Sequence, residues 1–355
     1  MDNPLRNLKK IAEKISGKVS RVAEKFDSED PLMVQPYRGF ANENRIFLKG
    51  RVLEDENIFN GKSDNQIKNI INNFKRFETD EVPEANVRIT CADQAFECKT
   101  DVEGYFTLDA EWMSPATSDR ITWVPVTVEL LYPTRADDSR ISEEGEIMIL
   151  SKNADYGVIT DVDDTVLQTH VSSLFRLKML YTTFLKNAHQ RLPMEGMVKL
   201  FKSFVKGGDG KKENPIFYLS HSPWNIYDLL LEFFTIQEFP KGPILLRDYG
   251  ITPSGEYSHH KITSIAYILK MYPKLPFVLL GDSADEDADF YIQVAREFPE
   301  RIKAIYIRQT RNTKNAKRIK ELIENSAHVD AVLIHSSDEI NQHALELGLF
   351  AQAVE

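Results

Sequence analysis

The sequence predicts an α/β protein. A doubly wound, mostly parallel sheet spans residues 151–355, preceded by a smaller β-sandwich-like domain over 46–150 and an amphipathic helix over 1–30. Three observations carry this reading. From about residue 155, short apolar runs of the buried kind alternate with helical stretches, the pattern of parallel strands joined by crossover helices. Between 46 and 150 the runs are β-branched and aromatic and are separated by turn residues. Residues 5–26 place Leu5, Leu8, Ile11, Ile15, Val19, Val22 and Phe26 at spacings of three and four, one stripe of a helix.

The opposite face of that first helix is basic, with Arg6, Lys9, Lys10, Lys14, Lys18, Arg21 and Lys25. Such a helix docks its stripe on the body or on a second subunit, which makes an oligomer one expectation. It could also lie on an anionic membrane surface. Residues 27–45, with Asp30-Pro31 and Gln35-Pro36, show no period and read as a linker. The β-domain follows in the runs IFLKGRVL, ANVRITCA, FECKTDV, GYFTLDAEW and WVPVTVELLY, interrupted by an insert from Asn57 to Glu81. Its stretch Thr100–Phe106 resembles the hairpin of transthyretin-like sandwiches. In the last part, YGVITDVDD, NPIFYLS, GPILLRD, PFVLLGD, IKAIYIR and DAVLIH read as strands. WNIYDLLLEFF, KITSIAYILKMY, ADFYIQVAREF and DEINQHALELGLF read as helices. In such a sheet, ligands bind beyond the carboxyl ends of the strands.

Composition narrows the function. A net charge of −10 argues against a nucleic-acid partner, which calls for a broad basic face. Two cysteines, Cys91 and Cys98, are too few for a disulfide framework or a zinc site and point to a reducing compartment. They read as two buried thiols rather than a pair facing across a hairpin. No apolar run reaches the length of a membrane span, and the N-terminus has no signal-type apolar core, so the expected location is cytoplasmic.

Four features carry chemistry. Asp161-Val162-Asp163-Asp164-Thr165 follows YGVIT directly. Two carboxylates at that spacing can share a hard cation such as magnesium, and an aspartate can attack phosphorus. Ser220 closes the strand before His221-Ser222-Pro223-Trp224-Asn225. Its hydroxyl, with backbone N–H groups at the start of a helix opened by Pro223, suits a phosphate oxygen. Lys261 opens a helix and can neutralise an attacking carboxylate and phosphoryl oxygens. Asp282, Asp285 and Asp287 crowd the end of PFVLLGD, a repulsion that a cation offsets. The twelve-residue pattern of a calcium EF-hand is absent from this stretch.

In this order DVDDT, Ser220, Lys261 and GDSADED resemble the four motifs of the haloacid dehalogenase superfamily. The stretches YGVITDVDDTV, FYLSHSPWNIYDLL, HKITSI, LLGDSADEDADFY and RIKAIYIR are similar to the catalytic domain of the actin-patch-associated phosphatidate phosphatase family, which has fungal and bacterial members and is akin to the lipins, and this chain resembles a bacterial-type relative. The resemblance covers residues 155 to about 350. It implies a haloacid dehalogenase-like fold with a small cap or none, and a magnesium-dependent hydrolase in which Asp161 is the nucleophile and Asp163 the general acid and base. Thr165, Ser220, His221 and Lys261 would hold the substrate phosphate, and Asp161, Asp163, Asp282 and Asp287 would hold Mg2+, with Asp285 a rival to Asp287.

The implied substrate is phosphatidate, a phospholipid at a membrane surface, converted to diacylglycerol and phosphate. About fifty residues separate Thr165 from Ser220, too few for a large lid and suited to a site open to lipid headgroups. The apolar, partly basic stretch Leu174–Leu185 within them reads as a core helix, or as one that approaches a bilayer. Two other expectations stand beside this one. The first is a phosphatase of a soluble phosphomonoester or phosphoprotein. The second is a binding module whose phosphatase domain is degenerate, which a missing motif would mark.

Overall fold

The computed structural model describes residues 32–54, 82–115, 117–134, 139–162, 192–247, 260–283, 286–309, 313–326 and 328–350. The helix expected over 1–30, the insert from Asn57 to Glu81, the stretch Leu174–Leu185, and Asp163, Thr165 and Asp285 lie outside them. The described residues fall into two compact units, each built largely on its own sheet: one of residues up to 40, 44–115 and 123–147, the other of 41–43, 116–122 and from 148 onward.

The first sheet has eight strands: β1 (Leu32–Pro36), β2 (Gly39–Ala41), β3 (Arg45–Glu54), β4 (Asn86–Cys91), β5 (Gln94–Lys99), β6 (Tyr105–Glu111), β7 (Thr122–Tyr132) and β8 (Ile141–Ile149). Their order is β1-β3-β2-β8-β7-β4-β5, with β6 on β3. Where a sandwich predicts two sheets, these strands form one continuous hydrogen-bonded sheet. The pairs β1/β3, β3/β6, β4/β5 and β4/β7 are antiparallel. Residues 27–45 are not simply a linker, because β1 and β2 form there. They are short, with five and three residues, so their period is too brief to read from sequence. The turn between β5 and β6 is locked by the Asp101 carboxylate, which accepts from Glu103 N–H at 2.9 Å and Tyr105 N–H at 3.0 Å. Gly104 supplies the left-handed φ of 77° that the turn requires. Both cysteines are free. Cys91 lies opposite Gln94 and Cys98 opposite Val87, so they do not face each other.

The second unit runs β9 (Gly157–Asp161), α1 (Leu192–Lys206), β10 (Ile216–Pro223), a 3-10 turn (Trp224–Ile226), α2 (Tyr227–Ile236), β11 (Ile244–Arg247) and α3 (His260–Met271). It continues through β12 (Phe277–Asp282), α4 (Asp287–Glu297), β13 (Ile302–Arg308), α5 (Thr313–Glu324), β14 (Ala331–Ile334) and α6 (Ser337–Glu346). The strands pair in parallel in the order β11-β10-β9-β12-β13-β14. Every residue of β9 and β12 is buried, as expected of strands with neighbours on both edges and cover on both faces. The order reverses between β9 and β12, and a crevice opens outside the carboxyl ends of strands at such a switch point.

Two polar side chains tie the periphery to this core. Tyr156 Oη donates to the carbonyls of Phe204 at 2.9 Å and Leu349 at 2.7 Å, holding the end of α1 and the chain after α6. Asn214 donates to the same Phe204 carbonyl at 2.9 Å and accepts from Asp155 N–H at 2.9 Å. Among the described residues no helix is long and apolar enough to cross a membrane.

Candidate active site

The ends of β9, β10 and β12 meet at the switch point. Asp161 ends β9, lies beside Leu219 of β10, and is fully buried. Ser220, also fully buried, follows Leu219 and accepts from Ser222 N–H at 2.9 Å through its hydroxyl. Asp282 ends β12 and is buried. Asp287 opens α4, where a helix N-terminus favours a carboxylate.

Lys261 joins these elements. It stands in the first turn of α3, where the helix dipole disfavours a cation, and its ammonium has no exposure. Two carboxylates offset that cost: Nζ lies 2.8 Å from Asp161 Oδ1 and 2.5 Å from Asp287 Oδ1. The other Asp287 oxygen accepts from Asp282 N–H at 3.3 Å. One lysine therefore bridges the nucleophile candidate and the head of α4, and Asp287 links that bridge back to β12.

Carboxylate oxygens of Asp161, Asp282 and Asp287 all lie within 4.8 Å of one another. Three carboxyl groups stand against one ammonium group in this buried site. Crowded buried carboxylates are costly unless a cation offsets their repulsion, and an all-oxygen donor set suits a hard divalent ion. The residues present therefore fit magnesium.

Two further residues shape the site that sequence reasoning did not single out. Tyr291 lies one turn after Asp287, and its hydroxyl donates to Leu280 O at 3.0 Å, tying α4 to β12. Burial holds its phenol well above the usual range, and Asp287 adds to this, so it remains a donor. At Gly281 a Cβ would lie 2.6 Å from Asp287 Oδ2 and 2.7 Å from Tyr291 Cε2, so only glycine allows α4 to approach. The i, i+4 spacing of Asp287 and Tyr291 is the one sequence signal that could have indicated Tyr291.

Of the predicted site residues, Asp161, Lys261, Asp282 and Asp287 converge, and Ser220 lies on the neighbouring strand. His221 follows Ser220 and is partly exposed. Asp163, Thr165 and Asp285 lie outside the described residues. Pro223 does not open a helix as expected. It is the last residue of β10, paired with Arg247 of β11, and its φ of −73° and ψ of 157° are extended. α2 begins at Tyr227, after the 3-10 turn. Proline's fitness for a first helical turn gave way to sheet pairing.

Residues 156–309 match the family described as Phosphatidate phosphatase APP1, catalytic domain. The chain is similar to Phosphatidate phosphatase APP1 of Saccharomyces cerevisiae, 35% identical over 161 residues that cover 44% of this chain and 26% of that protein. It is also similar to an uncharacterized protein of Schizosaccharomyces pombe, 29% identical over 237 residues that cover 62% of this chain and 37% of that protein. The chain thus spans well under half the length of these relatives. A carbohydrate acetylesterase from Xanthomonas citri aligns over 87% of this chain and 71% of its own at 8% identity. Its TM-score of 0.34 is too low to bear on fold or activity.

Proposed function

From the membership of residues 156–309 in the phosphatidate phosphatase APP1 catalytic-domain family, we propose that this chain hydrolyses phosphatidate to diacylglycerol and phosphate. The proposal includes a haloacid dehalogenase-like fold for the second unit, magnesium dependence and a phosphorylated aspartate. The observation that carries it is the buried bridge of Lys261 between Asp161 and Asp287, beside Asp282, at the carboxyl ends of adjacent parallel strands.

In this reading an Asp161 oxygen attacks phosphorus in line, and the bond from phosphorus to the glycerol oxygen breaks. Asp163 gives its proton to that oxygen, releasing diacylglycerol. Asp163 then takes a proton from water, whose oxygen attacks the aspartyl-phosphate, freeing Asp161 and inorganic phosphate. Lys261 keeps Asp161 ionised and oriented, and its charge balances the phosphoryl oxygens as the attack proceeds. Ser220, Thr165 and His221 orient the phosphate group. Magnesium held by Asp161, the Asp163 backbone carbonyl, Asp282 and Asp287 would supply charge screening for the phosphoryl group.

The setting in this reading is cytoplasmic and peripheral to a membrane, in keeping with two free thiols. Phosphate release from phosphatidate vesicles, sugar phosphates and phosphopeptides, with magnesium or with excess chelator, tests it. Magnesium-dependent turnover of phosphatidate above the other substrates is expected. Preference for a soluble ester or a phosphopeptide overturns the substrate, and full activity in chelator overturns the metal.

A further inference from the structure

We propose that the basic face of α5, which begins beside the carboxylate site, is a docking surface for anionic lipid. The inference rests on the phosphatidate reading for its purpose and on charge placement for its substance. Between Arg308 and Lys320 the sequence carries six basic residues and no acidic one, in a chain of net charge −10. Arg308 ends β13 directly opposite Asp282 of β12. Its carbonyl accepts from Ser283 N–H at 2.9 Å, and Asn315, in the first turn of α5, donates its amide to Ser283 O. The basic segment is therefore fastened to the residue that follows Asp282, at the rim of the site.

Along α5, Ile319 is buried while Lys317, Arg318 and Lys320 are exposed, so the charges point away from the core. Lys317 and Lys320 are more than two-thirds exposed, and their acidic neighbours Glu321 and Glu324 lie at 3.9 Å. Such loose surface pairs are worth little and leave the ammonium groups able to meet an external anion. Arg318 is held more closely, 2.8 Å from Asp289 of α4. A protein with this net charge is repelled by an anionic bilayer except where a local basic face approaches it, and this face begins next to the strand end that carries Asp282.

Flotation of the full chain with phosphatidylserine–phosphatidylcholine vesicles tests the surface without turnover. Each basic residue near an anionic surface is worth about fivefold in binding. The variant Lys317→Gln/Arg318→Gln/Lys320→Gln should therefore bind about a hundredfold more weakly. The wild type should float at low salt and be released at high salt. Lys317→Gln/Lys320→Gln, which keeps the Arg318–Asp289 pair, should lose part of the binding, and Lys317→Arg/Lys320→Arg none. All three should hydrolyse a soluble phosphate ester as the wild type does and keep its melting temperature. Undiminished flotation of both Gln variants overturns the proposal. So does equal flotation with neutral vesicles, or a shift of duplex DNA without flotation. Flotation as expected together with failure to hydrolyse phosphatidate removes the substrate reading and leaves the docking surface standing.

Discussion

Lys261 has its ammonium buried between Asp161 and Asp287, at 2.8 and 2.5 Å. Most lysines are solvated, and this one was singled out only because it opens a helix in order between two acidic strand ends. Asp161, Ser220 and Asp282 were legible for a related reason, since a polar residue ending an apolar run is positioned by function rather than packing. Asp287 could not be separated from Asp285 by sequence, because which carboxylate turns inward depends on where α4 starts. Gly281 and Tyr291 were not legible, because their role is a close approach between a strand and a helix. The excess of negative charge predicts a metal-linked stability. Magnesium at a hundred times its dissociation constant should stabilise the wild type by about 2.7 kcal/mol, read as a rise in melting temperature. Asp282→Asn should abolish that rise and, by relieving repulsion, leave the metal-free protein at least as stable as wild type. An unchanged magnesium shift in Asp282→Asn would show that Asp282 is not a ligand.

At the scale of elements, α3 is held at both ends. Lys261 fixes its start, and one Arg301 nitrogen fixes its end by donating to the carbonyls of Leu269 at 3.2 Å, Tyr272 at 2.6 Å and Leu275 at 2.8 Å. These include carbonyls left open where a helix stops. Arg301→Met keeps the apolar stem and removes the donors, so it should cost about 1–3 kcal/mol in urea unfolding. Activity at saturating substrate should persist in the variant that remains folded. Loss of activity without loss of stability would show that the contact serves the site and not the helix. Long or strongly apolar elements were legible: α3, α4, β9, β12 and β13 fall where their runs predicted. β1, β2, β8 and α5 were not. β8 mixes Ser142, Glu143, Glu144, Gly145 and Glu146 among its apolar residues, which hides its period, and α5 is too rich in lysine to show a core stripe without its neighbours.

At the scale of the molecule, the parallel sheet gathers residues far apart in sequence at one switch point, and local pattern could reveal its existence but not its strand order. Buried titratable groups in both units set a pH limit. Burial raises the phenols of Tyr156, Tyr272 and Tyr306 above the usual range, and does the same at Tyr291, where Asp287 adds to it. Burial likewise lifts the Cys91 and Cys98 thiols from 9.0 to about 11. In each case the folded group holds its proton where the unfolded one would release it. The stability so gained is complete below the unfolded values and is lost as pH rises through the folded ones. Unfolding free energy should therefore hold up to about pH 9 and fall beyond it, first between 9 and 11 as the thiols titrate. A curve that is flat or rising through pH 11 would contradict this.

In the proposed mechanism Asp161 carries the phosphoryl group during turnover, and trapping the enzyme tests this most directly. Wild-type protein mixed with substrate and magnesium, quenched in acid within a turnover and digested, should yield one phosphorylated peptide. That peptide should contain Asp161, and the label should disappear on treatment with hydroxylamine. Asp161→Asn should give no label and lose activity by on the order of a thousandfold or more while keeping its melting temperature. A label on any other residue, or Asp161→Asn turning over near the wild-type rate, would contradict the account.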